Sequence, residues 1–222
     1  MSALVLKWIA ALSMLLDHAG ILLFPGAQWM RIAGRLALPL YAYFIAEGFS
    51  HTHDRRKYFL RLFLLGAACQ IVYAAAGYPL LFGILIDFSL ALLLMETGER
   101  TRRALSAGQR TWIGWAAAFL LSVSLLAYLC TVWEFDYGIC GILLPVWSSF
   151  FEKREYRLLA FGAGLVLLCV SCGGIEWWSL FALPLLFFYN GKPGKYRMKW
   201  FFYIFYPAHL VLLYGISLLI GR

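Results

Sequence analysis

The strongest constraint on this chain is an uncharged stretch at residues 112–133, WIGWAAAFLLSVSLLAYLCTVW. Each residue of an α-helix adds about 1.5 Å, so a run of this length crosses the roughly 30 Å hydrocarbon core of a bilayer. Lipid offers no water to the backbone N–H and C=O groups, and a helix satisfies them within a single segment. The stretch therefore predicts a transmembrane helix.

Composition extends this prediction to the whole chain. Hydrophobic residues make up 63% of the 222 residues and charged residues only 14%. Soluble domains carry roughly 25% charged and about 45–50% apolar residues. A water-soluble core cannot hide this much apolar surface. The sequence predicts an all-α, polytopic membrane helical bundle whose principal partner is the lipid bilayer.

Apolar segments long enough to cross a bilayer recur along the chain. The first is followed by no cleavage site for a signal peptidase, so we expect it to be retained as a helix. No long linker or internal repeat divides the chain, which is predicted to be one membrane domain over residues 1–222. About nine transmembrane helices are predicted, at residues 8–25, 33–50, 58–77, 80–96, 112–133, 138–151, 158–173, 176–189 and 201–220.

The positive charges predict the orientation of these helices. With the N-terminus in the cytoplasm, all but three of the 19 Lys and Arg residues fall on the cytoplasmic side, the exceptions being Arg31, Arg35 and Arg222. Lys and Arg strongly prefer that side of a membrane. The formal charge of +8 is then a consequence of topology, and no nucleic-acid partner is predicted.

A few ionisable residues lie deep within the predicted spans. Counted from the cytoplasmic ends of their helices, Asp17, His18, Asp87 and His209 lie about 12–15 Å in. Charged groups at this depth are costly and are usually kept for function. Asp17 and His18 point about 100° apart on one helix. His18 is therefore expected to find a partner on another helix, either Asp87 or His209.

Two further charged residues lie on the second predicted span. Arg35 lies in its outer half and needs an anion, for which Asp17, Glu134 and Asp136 are candidates. Glu47 lies about 18 Å away along the same helix, too far to pair with Arg35. It is close to the cytoplasmic end, where it is expected to guard an entrance or to pair with Arg55 or Arg56.

The last span carries Pro207, which frees the carbonyl of Tyr203 and favours a local kink. Tyr203, Tyr206 and His209 follow one another along one helical face beside it. These side chains either line a cavity or pack against neighbours. The five cysteines are an odd number in apolar surroundings and are interpreted as packing residues. No metal site is predicted, because the histidines are dispersed.

Several motifs resemble those of the TraX family, in the same order along most of the chain. They are KWIAALSMLLDHAG, RIAGRLALPLYAYFIAEGF, HTHDRRKYFLRL, DYGICGILLP, YNGKPGK and FFYIFYPAHLVLLY. The resemblance implies a bacterial inner-membrane, multi-pass protein associated with N-terminal acetylation of conjugative pilin. It implies an acetyl-CoA-dependent acyltransferase acting on a pilin-like peptide. More distantly, the family is similar to membrane acyltransferases that acetylate sugars, which makes a surface glycan the alternative acceptor.

Acyl transfer to an amine requires a base and a group that stabilises the oxyanion. His18 is the predicted base, tuned by Asp17 or Asp87, with His209 or Tyr206 orienting it or donating to the oxyanion. The basic loops are expected to hold the phosphates of acetyl-CoA. The predicted site residues are His18, His209, Asp17 and Tyr206 for catalysis; Arg35, Glu47, Asp87 and Tyr203 for substrate binding; and Asn190, Lys192, Lys195, Arg55 and Arg56 for the co-substrate.

Two other interpretations stay open on the sequence. Asp17, His18 and Asp87 would serve a secondary transporter as a proton relay, although the repeated halves and broken helices typical of such folds are not evident. The same residues would serve a non-enzymatic scaffold as polar contacts that hold helices together. Release of free CoA in the presence of an acceptor separates the enzyme from both.

Overall fold

The computed structural model describes residues 1–75, 82–196 and 198–220, and these residues are helical apart from turns and one isolated β-bridge between Phe82 and Phe135. The all-α prediction is confirmed for them. The helices are α1 (Ala3–Leu22), α2 (Gln28–Gly34), α3 (Ala37–His51), α4 (Arg55–Ala75), α5 (Ile84–Ser106), α6 (Thr111–Val132), α7 (Gly138–Ser149), α8 (Arg154–Cys172), a 3₁₀ helix (Gly174–Phe181), α9 (Ala182–Phe187) and α10 (Lys199–Leu219).

Among the residues that the structure describes, four helices are long and apolar enough to cross a membrane: α1, α6, α8 and residues Trp200–Leu219 of α10. Helix α7 and the segment Gly174–Phe187 are apolar but shorter. Membrane-helix character is therefore present, while the count of nine spans and the side of the N-terminus stay predictions. Parts of the predicted spans 58–77 and 80–96 lie outside the described residues, as do Arg197 and Arg222 from the charge pattern.

The prediction of one continuous helix over residues 33–50 is wrong. Helix α2 ends at Gly34 and α3 begins at Ala37, so Arg35 lies at the end of α2. Pro39 explains the break. Its ring would clash with the carbonyl of Arg35 four residues earlier, and it has no N–H to bond that carbonyl. In the first turn of α3 the missing N–H costs nothing.

The predicted helix over residues 176–189 is replaced by the 3₁₀ helix and the short α9. Helix α8 ends at Cys172 because Gly173 and Gly174 both adopt positive φ, at 67° and 53°, which glycine reaches without steric cost. Pro184 then excludes the hydrogen bond that would continue an α-helix back through Leu180. The irregular segment places Glu176 near the end of α8.

The chain forms two compact units, and the unit boundaries fall within α3 and α8. The first unit contains residues 1–42 and 165–222. Within it α1 packs against α2 and α10, and α2 packs against the 3₁₀ helix. An apolar cluster of Ala19, Leu23, Met30 and Leu213 joins these helices. The packing places the Asp17–His18 pair of α1 between two different partner helices.

The second unit contains residues 43–164, with α5 packed against α4, α6 and α7. Phe88, Leu94, Met95 and Ile142 are almost completely buried there. Helix α6 is different, since Leu126 is its one buried residue. An exposed helix of this hydropathy is suited to contact with lipid.

Gly34 allows the close approach of α1 and α2, because a Cβ atom at this position would collide with the side chain of Asp17. We expect Gly34→Ala to lower the free energy of unfolding by about 1–3 kcal/mol through overpacking. Gly114→Ala in α6 is the matched control, since no described residue comes within 4 Å of a Cβ atom added there. Unfolding in mixed micelles by SDS titration measures both, and equal stability of the two variants would contradict this packing.

Candidate active site

The centre of the site is a hydrogen-bonded pair of histidines from α1 and α10. Nε2 of His209 lies 3.1 Å from Nδ1 of His18, and the ring centroids are 5.0 Å apart. His209 is buried, at 3% exposure, and His18 is half-buried. The prediction that His18 contacts a side chain at its own depth on another helix is confirmed, with His209 as the partner.

The hydrogen bonds around the pair determine where the protons lie. Nδ1 of His209 is 2.8 Å from the carbonyl of Phe205, which only accepts, so this nitrogen carries the proton and Nε2 the lone pair. Nδ1–H of His18 then donates to Nε2 of His209 and to the carbonyl of Met14, at 3.1 and 2.9 Å. In the neutral ring Nε2 of His18 is therefore unprotonated. This atom has no hydrogen bond to any residue that the structure describes.

Aromatic rings of α10 hold His209 in place. The ring of Phe205 stacks on it with centroids 5.1 Å apart, and Tyr206 meets it edge-on at 5.7 Å. Tyr206 therefore lies beside the histidine pair, where a catalytic residue was predicted. Tyr203, predicted to bind substrate, packs its ring against Trp200, with centroids 6.3 Å apart.

On the adjacent face of α1, Asp17 belongs to a network of charges. Nη2 of Arg35 lies 2.5 Å from Oδ1 of Asp17, and Nη1 of Arg35 lies 3.0 Å from Oε2 of Glu176. Arg31 places Nη1 3.0 Å from the same oxygen of Asp17. Two cations and two anions balance, as burial of charge in an apolar environment requires. Asp17 was one of the three predicted partners of Arg35.

Glu176 is the site residue that sequence reasoning missed. It is the first residue of the predicted span 176–189, and no role was predicted for it. Its position in the apolar run GGIEWW was the available signal, since a carboxylate there needs a partner. Glu176 is 3% exposed, and its Oε1 atom is buried without a hydrogen-bond partner among the described residues. One oxygen of the network is therefore open to a donor.

The second unit holds two further predicted site residues. Asp87 is completely buried in the first turn of α5. Its Oδ2 atom faces Gly141 of α7, 3.9 Å from where a Cβ atom would lie if Gly141 were replaced by alanine. Glu47 lies in α3, where its carbonyl is 2.8 Å from Nδ1 of His51. Both carboxylates belong to residues 43–164, whereas the histidine pair belongs to the first unit.

Of the alternatives considered for Glu47, the pair with Arg55 is not formed. Arg55 donates to Glu96 at 2.7 Å and lies 4.1 Å above the ring of Phe49. Arg56 is exposed at the start of α4. The helix is capped by Asp54, which accepts a hydrogen bond from the backbone N–H of Lys57 that lowers the pKa of Asp54. Of the two arginines predicted to hold phosphate, Arg56 alone is exposed.

The loop 189–195 is tied to the start of α1. The backbone N–H groups of Ala3 and Leu4 donate to the carbonyls of Lys192 and Pro193, at 2.9 and 3.2 Å, which satisfies two N–H groups of the first turn. The side chain of Asn190 accepts from the backbone N–H of Lys192 at 3.1 Å. Lys192 and Lys195 are exposed. The predicted phosphate-binding lysines thus lie at the N-terminal end of the helix that carries His18.

Comparison with known proteins follows this geometry. A family model described as "TraX protein" matches residues 2–217. The chain belongs to the TraX family. It is 30% identical to a probable fimbrial assembly protein FimC, serogroup H1, of Dichelobacter nodosus, with 96% of this chain and 94% of that protein covered.

A second relative is the TraX protein of Escherichia coli. Its identity to this chain is 34%, over 69% of this chain and 57% of the relative. The match therefore spans a little over half of the E. coli protein. The TraX protein of E. coli strain K12 is 33% identical, over 69% of this chain and 58% of its own length. No solved structure matches this chain significantly.

Arg35→Ala is expected to destabilise the protein by about 3–5 kcal/mol, because it leaves Asp17 and Glu176 without their shared cation at a buried position. Arg103→Ala is the control, since Arg103 pairs with Glu99 at 2.7 Å but is 67% exposed. Its loss should cost at most about 1 kcal/mol. Thermal unfolding in detergent distinguishes them, and a similar loss for both variants would show that the Arg35 network contributes little.

Proposed function

We propose that this chain is a membrane-embedded acyltransferase that moves an acetyl group from acetyl-CoA to an amine of a membrane or exported substrate. The observation that carries the proposal is that Nε2 of His18 has no hydrogen bond to any described residue, next to a charged network in which Oε1 of Glu176 also has none. Membership of the TraX family and similarity to a probable fimbrial assembly protein favour a pilus-related acceptor, a pilin-like peptide amine.

His18 is the proposed general base. Nε2 of His18 takes a proton from the acceptor amine as the amine nitrogen forms its bond to the acyl carbon. The C–S bond of the thioester breaks, and the sulfur leaves as thiolate and takes up a proton, so the products are an amide and free CoA. A histidine suits this exchange because its unperturbed pKa is near neutrality.

His209 is a positioning residue in this mechanism. Its Nε2 receives the Nδ1–H of His18, which keeps the lone pair of His18 on the opposite nitrogen. As His18 gains a proton at Nε2, the Nδ1–H bond to His209 strengthens, because a charged donor makes the stronger hydrogen bond. Tyr206 is the proposed donor to the oxyanion, since its ring meets that of His209 at 5.7 Å.

Glu176 is the proposed anchor of the acceptor. Its Oε1 atom has no donor within the described part of the chain, while Oε2 accepts a hydrogen bond from Arg35 at 3.0 Å. An amine or ammonium group offers the N–H donors that this oxygen lacks. Arg35 in turn connects Glu176 to Asp17, the residue next to the base. The acceptor amine is thereby held by the same network that orients α1.

Acetyl-CoA supplies an activated acyl group when it is bound. Lys192 and Lys195 are the exposed cations that we propose for its phosphates, with Asn190 shaping the loop that carries them. From Ala3 to His18, α1 rises about 22 Å. A donor held by the loop at residues 189–195 must therefore extend along this helix to place its thioester beside the base.

The arrangement in the membrane is part of the proposal. We infer nine crossings of the bacterial inner membrane with the N-terminus in the cytoplasm, because this orientation places most Lys and Arg residues on the cytoplasmic side. Single cysteines introduced at Lys195 and at Gln28 of a cysteine-free variant test it. Impermeant thiol reagents should label position 28, and not position 195, in intact spheroplasts, and the reverse pattern would invert the topology.

Purified protein with acetyl-CoA and a panel of peptide and amino-sugar acceptors should release free CoA in an acceptor-dependent way. His18→Ala should lower kcat about 10²–10⁴-fold by removing the base. His209→Ala should lower kcat less and leave KM for the amine unchanged. His53→Ala, in an exposed loop, is the control. Release of CoA at the wild-type rate by His18→Ala would refute the assignment of the base, and its absence with every acceptor would refute the enzyme.

Glu176→Gln separates the acceptor site from the chemistry. Loss of the negative charge should raise KM for the amine about tenfold while changing kcat less, because a charged hydrogen bond to substrate is lost. The outcome that contradicts the anchor is a lowered kcat at unchanged KM, which leaves the acyltransferase assignment intact. Unfolding temperatures of the variant and the wild type show whether both are folded.

A further inference from the structure

Arg157, near the start of α8, has an unusual guanidinium. Its Nε and Nη2 atoms are both buried, and neither has a hydrogen-bond partner among residues 1–75, 82–196 and 198–220. These two nitrogens form the side-on edge of the guanidinium, whose parallel N–H groups bind two oxygens of one oxyanion. The Nε–Nη2 edge of the guanidinium therefore matches a planar or tetrahedral oxyanion.

The protein itself does little to compensate this charge. The ring of Tyr43 lies 5.8 Å from the guanidinium carbon, a cation–π contact of about 0.5–2 kcal/mol. No ion pair of Arg157 occurs within the part of the chain that the structure describes, whereas Arg35 and Arg55 both pair with carboxylates. Arg157 is half-buried as a residue, but each buried N–H donor left without an acceptor costs about 1–3 kcal/mol, so this edge of the guanidinium favours an oxygen-bearing ligand.

The surrounding charges favour an anion over a neutral ligand. Arg154 and Glu47 both act electrostatically on Tyr43, as Arg157 does. The exposed Lys153 lies one turn before Arg157, and its carbonyl accepts the backbone N–H of Arg157 at 3.0 Å. Three cations thus share the neighbourhood with Glu47, and Glu155 is exposed on the same turn. The net charge is positive even after Glu47 and Glu155 are counted, since the neighbouring Glu152 is already paired with Arg102 at 3.3 Å.

We propose that the Nε–Nη2 edge of Arg157 binds a phosphate group. Phosphate provides the oxygen pair that a bidentate arginine recognises, and Arg154 and Lys153 supply further positive charge. Two sources offer this chemistry at a face predicted to be cytoplasmic: the nucleotide end of coenzyme A and the headgroup of an anionic lipid. The site does not depend on the transfer reaction, because a lipid phosphate would occupy it in a protein with no enzymatic activity.

Binding at this edge should appear as ligand-dependent stability. A ligand that binds the folded chain raises its unfolding temperature by mass action. The full chain, purified in detergent, is titrated with coenzyme A, its 3′-dephospho form, inorganic phosphate and a short-chain phosphatidylglycerol. At least one of these probes should raise the unfolding temperature. Coenzyme A alone would identify the nucleotide source, and phosphatidylglycerol alone would identify the lipid source.

Arg157→Gln removes the charge and the bidentate edge, so the affinity for the effective probe should fall about 100-fold. Arg157→Lys keeps the charge but not the fork and should lose about tenfold. Arg110→Gln, which changes an exposed arginine, is the matched control and should bind as the wild type does. Without ligand, Arg157→Gln should be at least as stable as the wild type, because an uncompensated charge has been removed.

Two results would overturn the proposal. One is a wild-type affinity in both Arg157 variants, which would place any phosphate elsewhere. The other is the absence of stabilisation by every probe, combined with marked destabilisation in Arg157→Gln, which would show that the guanidinium is buried for packing against Tyr43. CoA release by the same variants, measured separately, reports on the transfer reaction and not on the phosphate site.

Discussion

The first unit depends on one side chain, Arg35, whose two terminal nitrogens contact carboxylates of two different segments. Asp17 belongs to α1 and Glu176 to the 3₁₀ helix after α8, so the guanidinium joins elements that are remote in sequence. A single carboxylate left behind at such depth would be costly. The interaction therefore constrains how α1 turns about its own axis. The helix is interrupted before Pro39, so Arg35 lies at the end of α2. This position allows its guanidinium to contact both Asp17 and Glu176.

The side chains of the adjacent residues Asp17 and His18 point in different directions and contact different helices. About 100° of helical rotation separates them, so while Asp17 is held by Arg35, His18 is directed at His209 of α10. The charged network orients α1, and the histidine hydrogen bonds then determine which nitrogen of His18 is unprotonated. The ion pairs of Asp17 with Arg31 and Arg35 oppose rotation of α1 about its axis and so keep Nε2 of His18 on one side.

Sequence reasoning reached those parts of the site that depth along a helix determines. The fixed rise of about 1.5 Å per residue predicted that His18 and His209 lie at similar depths. The same reasoning included Asp17 among the partners considered for Arg35. It failed where a contact depends on chain reversal. Glu176 is brought to Arg35 by a 3₁₀ segment that follows two left-handed glycines, and hydropathy does not report such a turn. Arg55 pairs with Glu96 on another helix of the second unit, although Glu47 is closer to it in sequence. Separation along the sequence does not predict which side chains on different helices are in contact.

Buried polar atoms without hydrogen-bond partners indicate where this protein could bind ligands. A folded chain satisfies nearly all its buried polar atoms, so each exception requires an explanation. Two of these exceptions matter for ligand binding: among the described residues, Oε1 of Glu176 has no donor and the Nε–Nη2 edge of Arg157 has no acceptor. The two deficits have opposite sign, so one ligand group cannot remove both. An amine satisfies the first and a phosphate the second. Each assignment can fail without the other, because the first changes KM for the amine and the second changes affinity for phosphate.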